Sequence, residues 1–183
     1  MKKNIGSALT LYPTPVVVVG TMMDRKPNWM LVAHIGIIGH DRILLSCAKQ
    51  HYTNQGIREN GTLSVNLVNE SILPQADYVG SVSGKDADKS EIFPYLISDA
   101  GVPLIENSPL VLECSVVDTY DTEGFDNFIL KILNTYAEET ILNEQGKVDY
   151  QKLKPVLFDM PNYEYLRTGT VIGSCLKIDK EVL

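Results

Sequence analysis

The chain has 183 residues, 44% of them hydrophobic and 21% charged, with a net charge of −7; that is the balance of a globular chain able to bury one core. The acid excess argues against broad contact with a nucleic-acid backbone, which needs clustered Lys and Arg. Apolar runs such as "MLVAHIGIIG" are too short to cross a bilayer and the N-terminus lacks the long apolar stretch of a secretory signal, so a cytoplasmic protein without nucleic-acid or membrane partners is expected.

In chain order, β-branched and apolar runs predict strands at Val16–Gly20, Met30–Ile38 and Ile43–Ala48. Thr53 is placed to cap a short helix over "NQGIREN", closed by Gly61. In "TLSVNL", Leu63, Val65 and Leu67 alternate with Ser64 and Asn66, the pattern of a strand with one buried face over Thr62–Leu67. Ser71 precedes a second helical segment, "ILPQADYVG", and "DADKSEIFPYLI" suggests a third that is interrupted or ended near Pro94. Strands follow at Leu110–Thr119 and Phe128–Glu138, with a helix as the weaker alternative for the second because Thr135 and Tyr136 disfavour it. The segment "NEQGKVDYQKLKP" reads as a turn and a short solvated excursion.

No repeat, low-complexity tract or linker divides the sequence, so one domain over residues 1–183 is expected. Strands dominate without a regular β-α-β alternation, which favours a mainly β fold: an antiparallel barrel with a few peripheral helices. Cys47, Cys114 and Cys175 are too far apart for a zinc pattern or a disulfide framework and read as small buried hydrophobes. A dinucleotide fingerprint, a phosphate-binding loop and a nucleophile elbow are all missing, and the three histidines show no ligand spacing. A cofactor that carries its own chemistry therefore gains weight. The stretch from Arg42 to Arg58 contains no acid in an otherwise acidic chain, and reads either as an ordinary corner or as a pocket for an anion.

The succession "YPTPVVVVGT", "KPNWMLVAHIGI", "LLSCAKQHYTNQGIRENG", "LSVNLV", "DYVGSVSGKDADK" and "YEYLRTGTVIG" resembles the flavin reductase-like family of FMN-binding split barrels, especially its flavoredoxin-like branch. The resemblance implies an antiparallel split barrel, a homodimer, and FMN near the subunit interface. It places Asn28, Met30, Val32, Ala33, His34 and Ile35 along the flavin ring. It gives the phosphate and ribityl chain to Ser46, Cys47, Ala48, Lys49, Tyr52 and Thr53, with Lys49 supplying charge. His51 stands where many relatives carry arginine, so affinity for FMN is expected to weaken as pH rises through its titration. Ser83, Gly84, Lys89 and Tyr165 are further candidates from the resemblance. His34-Ile35-Gly36 replaces a Trp-Cys-Gly of relatives, which removes any thiol role at residue 35.

The implied activity is an FMN-dependent oxidoreductase, either an NAD(P)H-using flavin reductase or a flavoredoxin-like electron carrier serving an unknown acceptor. Two alternatives stand beside it. One is a non-catalytic holder of FMN or another flat cofactor such as haem; the other is an enzyme like pyridoxamine phosphate oxidase.

Overall fold

The computed structural model describes residues 1–176. In chain order the elements are β1 (Thr14–Pro15), β2 (Val17–Met23), β3 (Lys26–Val32), β4 (Ile35–Ile37), β5 (Arg42–Ala48), α1 (Thr53–Asn60) and β6 (Thr62–Leu67). They continue with α2 (Leu73–Ser81), β7 (Tyr95–Ile97), β8 (Pro103–Ile105), β9 (Leu110–Thr122), β10 (Phe125–Ala137), α3 (Tyr150–Leu153), β11 (Val156–Asp159) and β12 (Glu164–Arg167).

Seven strands pair in the order β3-β2-β6-β9-β10-β5-β4, every neighbour antiparallel. The outermost strands β3 and β4 are separated in sequence only by Ala33 and His34. Three Cα steps span at most about 11 Å, so the sheet's two edges must come close and the sheet must curl. This is the antiparallel split barrel expected from the sequence. Its seam is crossed at Ala33–His34, where Ser46 N donates to His34 O at 2.9 Å and Thr14 Oγ1 donates to Ala33 O at 2.9 Å.

The run "VVVV" is buried on both faces, and the pleat sends its members to two cores. Val17 and Val19 join Met30, Leu45, Val65, Phe128 and Leu130 inside the barrel. Val16 and Val18 join Trp29, Ala76, Val79, Phe93 and Val156 in an outer layer beneath α2. Glu113 on β9 is buried, and it accepts from Ser98 Oγ at 2.5 Å, Asn134 Nδ2 at 2.7 Å and Tyr136 OH at 3.0 Å. Burial raises its pKa, but these three bonds outweigh burial and hold it below the ordinary glutamate value. A carboxylate with a depressed folded pKa stabilises above its unfolded value and loses that contribution as pH falls through the folded one. Urea unfolding midpoints are therefore expected to drop more steeply below about pH 4 for the wild type than for Glu113→Gln; parallel curves would remove Glu113 from the acid response.

Several sequence expectations need correction. Met30–Ile38 is two strands, because the chain leaves one sheet edge and joins the other at residues 33–34. "DADKSEIFPYLI" is not a helix: turns lead to β7, and Phe93 and Pro94 serve the outer core and the β7–β8 hairpin instead. Thr53 does not cap α1; Tyr52 holds that position without a side-chain bond, whereas Gly61 ends the helix at φ 64° as expected. The second helix, expected from Ile72 after Ser71, begins at Leu73, with Ser71 bonded to Asn69. The excursion near the C-terminus contains α3, capped by Asp149 and anchored by buried Leu153. Cys47 and Cys114 are buried, but Cys175 is exposed because it follows the last strand and packs in neither core.

Candidate functional site

Two concavities sit side by side at the barrel seam and share Leu31 and His51 in their walls. The first, of about 250 Å³, is mainly apolar: Val32, Ala33 and His34 face Ser46, Cys47 and Ala48, with Tyr12, Phe125, Phe158 and Met160 around them. The second, of about 260 Å³, lies between Met30 and the end of α2 and is lined by Gln50, His51, Tyr52, Ser81, Ser83, Gly84 and Lys89. An apolar cavity thus opens beside a polar one, the division a ring with an anionic tail requires.

Lys89 is the cation of the polar cavity. It is only 4% exposed, and its ammonium donates to the carbonyls of Val79 at 3.1 Å and Val82 at 3.2 Å. These carbonyls close the C-terminal turn of α2, where the helix dipole favours a positive charge. Two of three N–H donors are accounted for, and among the described residues Lys89 has no carboxylate partner. Desolvation alone brings its pKa down to about 8. A buried ammonium supported only by carbonyls is a ready site for an anion.

His51 stands beside it. Burial first, and then the charge of Lys89, lower its pKa below the ordinary histidine value. The imidazole therefore stays neutral through the neutral range and offers a hydrogen bond rather than a charge. Affinity for a phosphate-bearing ligand is expected to vary little with His51 between pH 7 and 8 and to rise only in acid, below the ordinary histidine range. A His51-dependent change near pH 7, present in the wild type and absent in His51→Gln, would count against this.

Gly84 has a specific reason to be glycine. A Cβ there would run into Asn28 Oδ1 and meet Tyr52 Cδ1 at 2.8 Å, so the loop after α2 lies directly on β3 and the corner before α1. Asn28 in turn donates to Thr53 Oγ1 at 2.7 Å. Asn28 and Thr53 are both buried and hold the walls together from behind.

The structure brings together Met30, Val32, Ala33, His34, Ser46, Cys47, Ala48, His51, Tyr52, Ser83, Gly84 and Lys89 as walls of the two cavities. Three sequence candidates lie elsewhere. Ile35 packs against the barrel core. Lys49 faces away to form an ion pair with Asp121 at 2.8 Å, beside a separate cleft with Arg58 and Asp126. Tyr165 donates to Asp77 Oδ1 at 2.7 Å, tying β12 to α2, and packs on Phe158 with ring centres 5.7 Å apart. The acid-free stretch also looks different once folded. Arg42 pairs with Asp41, Lys49 with Asp121, and Arg58 with Asp126, so its long cations are neutralised by acids from outside the stretch. Sequence reasoning left Tyr12, Leu31, Gln50, Phe125, Phe158 and Met160 out of the site. Tyr12, Leu31 and Gln50 stand within the motifs already named, but nothing local marks Phe125, Phe158 and Met160, which arrive from β10 and the end of β11.

Residues 9–166 match the flavin reductase like domain, most of the chain's length. The chain belongs to that family. The flavoredoxin of Methanosarcina acetivorans is 33% identical, with each chain fully covered and a TM-score of 0.93. The flavoredoxin of Desulfovibrio vulgaris (Miyazaki F) is 28% identical over 97% of this chain and 99% of its own, with a TM-score of 0.90. Among curated sequences, the reductase subunit HsaB of a flavin-dependent monooxygenase from Mycobacterium tuberculosis is 25% identical, covering 88% of this chain and 80% of that protein. The two flavoredoxins share this chain's fold over nearly its whole length.

Proposed function

We propose that this flavin reductase-like protein binds FMN and passes electrons through it from a donor to an acceptor. The observation that carries the reading is the buried, carboxylate-free Lys89 in a polar cavity that adjoins an apolar slot. Lys89, His51, Tyr52 and Ser83 would hold the phosphate, with Gly84 allowing close backbone approach. Val32, Ala33, Cys47, His34 and Phe125 would enclose the ring. The flavin supplies the redox chemistry when bound. The protein's own residues bind it, orient it and exclude water. Cys47 plays its part as a wall, since burial, then the charge of Asp126, push its thiol up to about 12 and keep it unreactive.

The donor is the open half of the reading: NADH or NADPH for a reductase, or a protein partner for a carrier of the flavoredoxin kind. The test is a visible spectrum of the purified protein with FMN, before and after anaerobic NADH and NADPH. Bleaching supports nicotinamide as donor. Bands that bleach only with dithionite assign the electrons to a protein partner, and a protein that leaves added FMN unchanged in fluorescence overturns FMN binding.

The same reading includes a homodimer. Ile37 on edge strand β4 is 87% exposed, and Val117, Tyr120, Leu133 and Tyr136 leave apolar surface along the β9–β10 hairpin. Such surface is what a second subunit would cover. A monomer by light scattering at micromolar concentration would remove this part. The expected cytoplasmic setting is supported by three cysteines that are all free, as a reducing compartment keeps them. Among the described residues no helix is long and apolar enough to cross a membrane.

A further inference from the structure

The apolar slot contains one polar pair that cofactor binding alone does not explain. Tyr12 OH lies 2.7 Å from His34 Nε2 and donates to Met160 Sδ at 3.0 Å. A phenol has one proton. Both bonds exist together only when Nε2–H of the imidazole donates to the Tyr12 oxygen and the phenol proton points at sulfur. In that arrangement Nδ1 is the imidazole nitrogen left to take a proton. The pair is held from several sides. The His34 backbone is pinned by Ser46 N at 2.9 Å, and Phe125 lies 5.7 Å from the imidazole, centre to centre.

The titratable side chains lining the slot are Tyr12 from the N-terminal arm, His34 from the seam, Cys47 from β5 and His51 from the corner before α1. β10 contributes Phe125, and the β11 side contributes Phe158 and Met160, none of them ionisable. Asp159, between those two, accepts from Asn162 Nδ2 at 2.7 Å and is not part of the wall. The Cys47 thiol is held protonated, its pKa near 12, and burial raises the Tyr12 phenol too. No Asp, Glu, Lys or Arg lines the slot itself, so the imidazoles are the groups in its wall that can become cationic.

We propose that the Tyr12–His34 pair is a proton store for the redox slot, taking up one proton when electrons arrive and returning it when they leave. A hydride from reduced nicotinamide carries two electrons and one proton, and so adds one net negative charge. One proton from water onto Nδ1 of His34 matches that charge, and its return to water follows when the hydride equivalent passes on. Tyr12 acts as a positioning residue that keeps Nδ1 free, with Met160 as its anchor. This rests on the reading that the slot holds the flavin ring.

The test reads His34 directly. The imidazole C–H resonances of the FMN-loaded protein are titrated by NMR in the oxidised and the anaerobically reduced states. The resonance missing from His34→Gln is expected to titrate about one pH unit or more higher after reduction, since a negative charge within roughly 4–6 Å favours the protonated form by about that much. Tyr12→Phe, which keeps the ring and deletes the hydroxyl, is expected to shrink the rise. A His34 midpoint that is the same in both states overturns the store, and an undiminished rise in Tyr12→Phe overturns the role of Tyr12. If His34→Gln does not fold, His40→Asn and His51→Asn identify the resonance by elimination. Loss of FMN binding in the wild type is seen first, by fluorescence, and defeats the underlying reading. Binding with an unmoved His34 defeats the store alone.

Discussion

Replacing Lys89 with methionine is expected to lower FMN affinity by roughly 10–150-fold while changing riboflavin affinity by less than about threefold. The range follows from about 1.5–3 kcal/mol for a hydrogen bond to a charged group. The comparison is needed because Lys89 has two roles in the geometry. It clasps the carbonyls of Val79 and Val82 at the end of α2, and it is the buried cation of the polar cavity. Loss of the clasp would weaken both ligands, since the loop carrying Ser83 and Gly84 begins there. Loss of a phosphate contact weakens only FMN. The pH dependence runs in one direction. The ammonium of the free protein titrates near 8, so its charge is lost as pH rises through that value. FMN affinity in the wild type should therefore fall above about pH 8, and Lys89→Met should show no such fall. Equal losses for FMN and riboflavin, measured by fluorescence titration, would assign Lys89 to the clasp and leave the phosphate without its cation.

Lys49 and Lys89 show how far the sequence could be read. Both stood in recognisable motifs, and only folding separates them. Lys49 alternates outward from a strand end to where the β9–β10 hairpin offers Asp121, 72 residues away. Lys89 follows a loop that Gly84 allows to lie flat on Asn28, which turns its side chain under α2. Local charge counting favoured Lys49 because the long-range acid that pairs with it was invisible to it. Strands were legible for the opposite reason: β6 announces itself by its own alternation, and β2 by a β-branched run that only two-sided burial accommodates. The failed third helix belongs with Lys49. Ile92, Phe93 and Tyr95 do have helix-like spacing, but Phe93 and Tyr95 pack edge-on to Trp29 in the outer core, and the tertiary contact decides. The ring slot was half legible, since residues 32–34 and 46–48 of its wall are continuous in sequence and the rest is assembled from the arm, β10 and the end of β11.

Trp29 ties the outer core to the site, and its substitutions separate two effects. Its side chain is fully buried on the face of β3 opposite Met30 and Val32, against Phe93, Tyr95 and the bare backbone of Gly20. Trp29→Ala removes the largest buried side chain on the strand and is expected to cost about 3–5 kcal/mol of stability. Against a typical total of about 5–15 kcal/mol, that leaves a marginal fold. Because β3 also carries Asn28, Met30, Val32 and the approach to His34, FMN affinity should fall with it. Trp29→Phe is expected to behave differently. The indole Nε1–H is buried and has no hydrogen-bond partner among the described residues, a condition that costs roughly 1–3 kcal/mol. Phenylalanine leaves a small void but removes that orphan donor, so the two changes oppose each other and stability should stay within about 1 kcal/mol of the wild type. Urea unfolding of both variants, with FMN titration beside it, distinguishes the cases. A Trp29→Phe loss as large as that of Trp29→Ala would mean that the indole N–H is satisfied by a buried water. A Trp29→Ala loss below about 1 kcal/mol would mean that β3 is held by its strand pairing with β2 alone, and the outer core would cease to be the support of the site.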